Sequence, residues 1–236
     1  MEALAAALRA GAWHGAGMLE LISLHVPKCA GSSLRAALAA AYAGAGEGAF
    51  WADYADRPGN PASAFQLDPA GYHAAMAGWA PPVGARAVHG HFHPGKYRRH
   101  GAGALKAVFL RHPVSRLISH YRFWQALPRH GHLLHDYMLD TGLDMEGFAR
   151  LPLQRHFYTG LYLRDVDMGW FDFIGLQEHY AGDVARLAAL LGRPLALRHD
   201  NAGALPPQED PALIARLEDI LHDDVLFFEK VAARSS

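Results

Sequence analysis

Between Pro27 and Ser33 the chain reads Pro-Lys-Cys-Ala-Gly-Ser-Ser, a run of small residues with one cation and two hydroxyls. Between a strand and a helix, such a loop turns its backbone N–H groups inward, and the helix N-terminus adds partial positive charge. That combination suits an oxyanion. Gly31 lets backbone approach closely, while Cys29 and Ala30 contribute N–H groups. Ser32 and Ser33 can cap the helix or donate to phosphate oxygens, and Lys28 supplies a full charge. The order is not GxxxxGK[ST], because Lys28 precedes Gly31, so nothing here marks a magnesium–nucleoside triphosphate.

A second anion-binding pair is Arg111 and Ser119. Arg111 stands where an apolar run meets Pro113 and can grip a phosphate with two N–H groups; Ser119, two turns along the next helix, can add a hydroxyl. His89, His91 and His93 alternate nearby in sequence. An imidazole with an ordinary pKa of about 6.5 is mostly neutral near pH 7 and able to take a proton from a hydroxyl. His91 is the first choice for such a base and His89 the second. On a strand the three would share a face and could instead hold a transition metal. No cysteine or carboxylate at ligand spacing accompanies them, and 16 histidines make chance grouping common, so a metal site ranks last.

These residues need a scaffold, and the pattern supplies one. Leu19–Val26 is a short apolar run ending at a proline and reads as a buried strand, followed by a helix over Leu34–Tyr42 that stops at Gly44. Further strands are expected at Ala85–Val88, Leu105–Leu110 and Phe171–Leu176. Helices are expected at Val114–Ala126, Tyr180–Leu191 and, as one final amphipathic element, Pro211–Leu226. Residues 44–82 and 125–163 carry the least pattern and are expected as loops and short helices that shape an acceptor site. Met1–Met18 reads as a helix or frayed terminus rather than a signal peptide. The expected fold is a single α/β domain over 1–236: a P-loop-like, doubly wound, mainly parallel sheet flanked by helices, with ligands at the carboxyl ends of its strands.

Composition narrows the class. Hydrophobic residues make up 51% and charged residues 19%, which describes a globular chain, and the net charge of -1 gives no global field for nucleic acid or an anionic membrane. The single cysteine, Cys29, excludes an internal disulfide framework and fits a reducing compartment; no run is long enough to span a bilayer. A cytoplasmic protein is the expectation.

The stretch Ser23–Leu34 resembles the 5′-phosphosulfate loop of sulfotransferases that use 3′-phosphoadenosine 5′-phosphosulfate (PAPS), and is closest to the carbohydrate branch. Val108–Tyr121 resembles the same family's 3′-phosphate element, in which an arginine ends a strand and a serine follows eight residues later, as Arg111 and Ser119 do. His112 departs from the usual Asp or Asn, and Cys29 from the commoner Thr. His89-Gly90-His91-Phe92 is similar to the His-Gly-His segment of the glycan-modifying branch, and Phe173–Glu178 to a segment near the last core strand. The resemblance implies PAPS as donor, 3′-phosphoadenosine 5′-phosphate (PAP) as product and a hydroxyl acceptor, expected to be a glycan. It further implies that Lys28, Cys29, Ala30, Gly31, Ser32, Ser33, Arg111 and Ser119 bind the donor, with no metal required. Lys28 would neutralise the leaving oxygen of an in-line displacement while a histidine, His91 or His89, accepts the proton.

Other residues read more plainly. Cys29 is expected as a small packed residue, Arg116 as a solvated helix charge and Glu178 as a bond to backbone near the nucleotide loop. Arg155 and the cluster Lys96, Arg98, Arg99, His100 are weak candidates for an anionic acceptor. The loop Arg198–Asn201 falls where related enzymes close over the nucleotide, without assigned roles. Three rivals remain: a P-loop kinase, a catalytically silent nucleotide- or glycan-binding module, and a histidine-rich metalloprotein.

Overall fold

The structure, a computed structural model, describes residues 19–197 and 209–235. The expected terminal helix at Met1–Met18 and the Arg198–Asn201 loop lie outside the described residues.

Five strands form one sheet: β1 (Leu21–Leu24), β2 (Phe50–Asp53), β3 (Ala87–Gly90), β4 (Leu105–Leu110) and β5 (Phe173–Leu176). They lie in the order β2-β3-β1-β4-β5, and every pairing is parallel. β1 is central, and all four of its residues are buried, which explains why its sequence is nearly continuous apolar rather than alternating. Chain direction across the sheet reverses at β1, between β3 and β4. That is the switch point where crevices open at the carboxyl ends of strands. Leu24 is level with Gly90 of β3 and Val108 of β4, so the loops after β1, β3 and β4 leave one edge together.

The pleat sends alternate side chains to opposite faces. Leu21, Ala87, Leu105 and Ala107 pack under helices α1 (Gly31–Tyr42) and α8 (Tyr180–Leu191), against Leu34, Leu38, Val184 and Leu187. Ile22, Leu24, Val88, Val108 and Leu110 pack on the other face, against a π-helical turn at Phe157–Tyr162 and Phe228 and Val231 of the last helix. Helix α4 (Pro113–Ala126) builds a third cluster with α5 (Leu133–Thr141), α6 (Met145–Arg150) and α9 (Pro211–Ile220). The fold is thus α/β and doubly wound, as the alternation of strands and helices predicts.

Three boundaries differ from the sequence expectations. Residues 44–82 contain an edge strand, β2, besides the short helices α2 (Ala64–Leu67) and α3 (Pro69–Ala75). Phe50-Trp51-Ala52-Asp53 is too short and mixed to read as a strand until β3 pairs with it. The expected final helix is two, α9 and α10 (His222–Ser235), broken at Leu221 so that buried Asp224 can accept the N–H groups of Tyr158 at 2.9 Å and Thr159 at 3.0 Å. Helix α1 also begins at Gly31, drawing Ser32 and Ser33 into its first turn. Between α6 and the π-helical turn lies α7 (Pro152–Arg155). Among the described residues no helix is long and apolar enough to cross a membrane.

Candidate functional site

The loop after β1 takes an unusual backbone path. Lys28 and Ala30 both have left-handed φ, 69° and 61°, a conformation that costs a side-chain-bearing residue of order 1–3 kcal/mol and persists only where its surroundings enforce it. Alternating hands turn successive N–H groups to one side and make an anion nest. Ala30 is the N-cap of α1 and offers no side-chain acceptor, so the first N–H groups of the helix stay uncapped above the nest. Ser32 is exposed there, whereas Ser33 is buried. Gly31 is required by contact: a Cβ would sit 1.8 Å from Cδ2 of His25.

What enforces the path is packing from below. Cys29 is buried, with Sγ 3.5 Å from the Tyr158 hydroxyl, and burial pushes its thiol up to about 11, so it is a packed side chain rather than a thiolate. The same hydroxyl donates to the Arg111 carbonyl at 2.6 Å and accepts from the Arg111 N–H at 3.2 Å. One buried tyrosine therefore ties the loop after β1 to the loop after β4. Glu178 accepts the His112 N–H at 2.8 Å and fixes the other side of that second loop.

Cations converge above this bracket. Arg111 Nη1 lies 3.4 Å from the Lys28 carbonyl, and Lys28 Nζ sits 4.2 Å from the centroid of the Phe123 ring. Burial, then the neighbouring Arg111, lowers the Lys28 pKa. Ser119 is half-buried on α4, one turn before Phe123 and so on the helix face that meets Lys28. Arg116, expected as a solvated charge, is instead 1% exposed. Its guanidinium stacks 3.7 Å from the Phe157 ring centroid and bonds Gln154 Oε1 at 3.3 Å. The reason is geometric: α4 packs against α6 and α9 on one side, while Phe157 and Gln154 cover Arg116 on another. Lys28, Arg111 and Arg116 form no ion pair among the described residues, and Nε of Arg111 and of Arg116 are buried without a hydrogen-bond partner. Arg116 is buried and Lys28 and Arg111 are half-buried, a grouping of like charge without a direct carboxylate partner that an anion would offset.

The histidines stand behind the nest as a ladder. His25 stacks between His89, with centroids 4.9 Å apart, and His91, at 4.2 Å. His89 is fully buried: Nε2 donates to the Gly31 carbonyl at 3.1 Å, and Nδ1 accepts from Ser23 Oγ at 2.8 Å. Both its nitrogens are committed, and burial lowers its pKa to about 3. His91 Nδ1 lies 2.7 Å from the His25 carbonyl, which can only accept, so Nδ1 carries the proton and Nε2 keeps a bare lone pair. Burial lowers the His91 pKa to about 4, and the imidazole is neutral at pH 7. His93 turns away, with Nε2 donating to the Arg164 carbonyl at 2.8 Å. Among the described residues no three His, Cys, Asp or Glu side chains are grouped to hold a metal ion.

Sequence reasoning missed His25, Tyr158 and Arg116 as parts of this site. His25 lies just before the loop and carries no motif; Tyr158 comes from a π-helical turn in the least readable segment. The basic cluster at 96–100 is also not one patch. Lys96 is buried in ion pairs with Asp53 at 2.9 Å and Asp56 at 3.1 Å, whereas Arg98 and Arg99 are exposed. Arg155 is exposed on α7, behind Gln154.

No family model matches the sequence, and no curated protein matches it. Among solved structures, the chain is similar to a sulfotransferase from Alicyclobacillus acidocaldarius, at TM-score 0.35 and 16% identity, covering 86% of this chain and 96% of that one. It is also similar to mouse sulfotransferase SULT7A1 complexed with PAP, at TM-score 0.34 and 10% identity, covering 95% of this chain and 70% of that one.

Proposed function

We propose that this protein transfers a sulfuryl group from PAPS to a hydroxyl, with a carbohydrate as the acceptor class. The observation that carries the reading is the grouping of Lys28, Arg111 and Arg116 at the switch point, without a direct ion pair among the described residues, set beside an uncapped helix N-terminus and the bare Nε2 of His91. The residues present fit such a donor. The nest and the first N–H groups of α1, with Ser32, would hold its 5′-phosphate end, and Arg111 with Ser119 would hold its 3′-phosphate.

The donor supplies a sulfuryl group already on a good leaving group. The chain has three tasks. His91 Nε2 takes the acceptor's hydroxyl proton as the new O–S bond forms; Lys28 and the nest offset the charge gained by the departing phosphate oxygen; and the stacked His25 with the His89–Gly31 bond hold base and nest in one frame. His89, with both nitrogens engaged, is a positioning residue in this scheme rather than a second base.

Calorimetry with PAP tests the donor assignment, with ATP as control: binding in the micromolar range is expected for PAP, and no binding at millimolar PAP sinks the reading. His91→Asn tests the base. Turnover should fall roughly 10²–10⁴-fold with PAP affinity unchanged.

A further inference from the structure

Beyond the donor site, a cavity of about 320 Å³ opens where the segment after β3 turns, lined among others by His73, His93, Lys96, Arg98, Arg99 and Asp165. This is the small end of the range for ligand sites. It lies on the path leading away from His91: residues 91–93 are short of the 3₁₀ turn Pro94–Tyr97, and an extended segment advances about 3.3 Å per residue, so His93 stands roughly 7 Å beyond His91. The Tyr162–Asp165 segment runs alongside, touching His91 through Tyr162 and His93 through the Arg164 carbonyl.

The charge facing this cavity can be assigned group by group. Lys96 is held between Asp53 and Asp56, so it stiffens the floor and leaves no free cation there. His93 has both nitrogens bonded, to the Arg164 carbonyl and the Gly95 N–H, and stays neutral. Asp165 lies 3.6 Å from Arg164, which offsets it. Arg98 and Arg99 remain as permanent charges, beside His73. Arg99 is steadied by one bond from Nη1 to the Ala77 carbonyl at 2.7 Å, and the Arg98 guanidinium has no hydrogen-bond or ion-pair partner among the described residues. A pocket whose floor offers no free cation and whose rim carries two guanidinium groups without a carboxylate partner selects an oxyanion.

We infer that the acceptor carries an anionic group, a carboxylate, sulfate or phosphate, which docks on Arg98 and Arg99 while its hydroxyl is presented to His91. This inference rests on the sulfuryl-transfer reading and adds the acceptor's charge to it. The arrangement selects by charge at a distance from the reacting atoms, so it sets which acceptor is bound without touching the donor.

The test is calorimetry on PAP-loaded protein with four probes: a glucuronate-terminated disaccharide, the same disaccharide with a 6-sulfate or a 6-phosphate in place of the carboxylate, and the neutral parent. At least one anionic probe should bind about tenfold or more tightly than the parent, as expected for charge-assisted bonds, and the three anionic arms identify which group is preferred. The Arg98→Ala/Arg99→Ala variant should lose that advantage while binding PAP as the wild type does. Equal binding of all four probes, no binding by any anionic probe, or an advantage that survives in the variant overturns the inference. Failure of PAP itself to bind would instead overturn the donor reading on which it stands.

Discussion

Lowering the pH should unfold this protein early and steeply, because its fold holds buried histidines that can only be accommodated uncharged. His25, His89, His93 and His120 are each at most 8% exposed, and His91 stacks on His25. Burial lowers the pKa of all five, to about 3 for His89 and about 4 for His91 and His93, with His25 and His120 displaced well below the ordinary value. In the unfolded chain each titrates near 6.5, so the folded state binds fewer protons. Stability is complete above about pH 6.5 and is lost as the pH falls toward the folded values, by about 1.4 kcal/mol per pH unit for each histidine. For the three with assigned values that amounts to about 6 kcal/mol by pH 5, comparable with the whole stability of an ordinary domain, and His25 and His120 add in the same direction. Urea midpoints measured between pH 7.5 and 5.0 give the number of protons taken up on unfolding. A slope worth about three to five protons near pH 5.5 is expected; a slope worth one proton or fewer would refute the argument that the ladder is neutral and sealed.

Three further outcomes follow from the same geometry. In the pH profile of kcat/KM the acid limb should be steeper than one proton and coincide with unfolding, and the alkaline limb should fall below the ordinary lysine range as Lys28 loses its charge; a one-proton acid limb at about 6.5 would mean that His91 is an ordinary solvated imidazole. Tyr158→Phe orphans the Arg111 N–H and carbonyl, so it should cost at least about 2 kcal/mol, lower the melting temperature by roughly 5 °C and weaken PAP binding, while Cys29→Ala spares the Arg111 bonds and should do markedly less. Gly31→Ala drives a methyl into the His25 ring and should abolish PAP binding; adding His25→Ala should recover part of the lost stability in thermal melts, and additive losses would place the clash elsewhere.

What was legible in the sequence followed from local rules. β4 was read at Leu105–Leu110 and α8 at Tyr180–Leu191, because a continuous apolar run and a glycine stop need no tertiary information; Gly192 has the left-handed φ of 62° that such a stop requires. The nest was legible for the same reason, since strand, small-residue loop and helix are adjacent in the chain. β2 is not, because a four-residue edge strand whose one buried side chain is Asp53 is defined by its partner. Arg116 was misread because a single cation at helical spacing looks solvated unless both helix faces are known to be covered. Tyr158 was invisible because its task, bridging Cys29 to Arg111, spans separations of 129 and 47 residues.

That bridge also holds the loop after β1 and the loop after β4 in one frame. A loop strained at Lys28 and Ala30 would relax if left to itself, and a strand-end arginine would rotate toward water. Tyr158 prevents both, because its hydroxyl can satisfy Arg111 only while its ring stays packed against Cys29, and Asp224 holds the turn that carries it. The strain in the nest and the unpaired charge of Arg116 are thus borne by the same buried core. On the sulfuryl-transfer reading, the donor's phosphates would meet the nest and Arg111, while Arg116 stays behind them in the core.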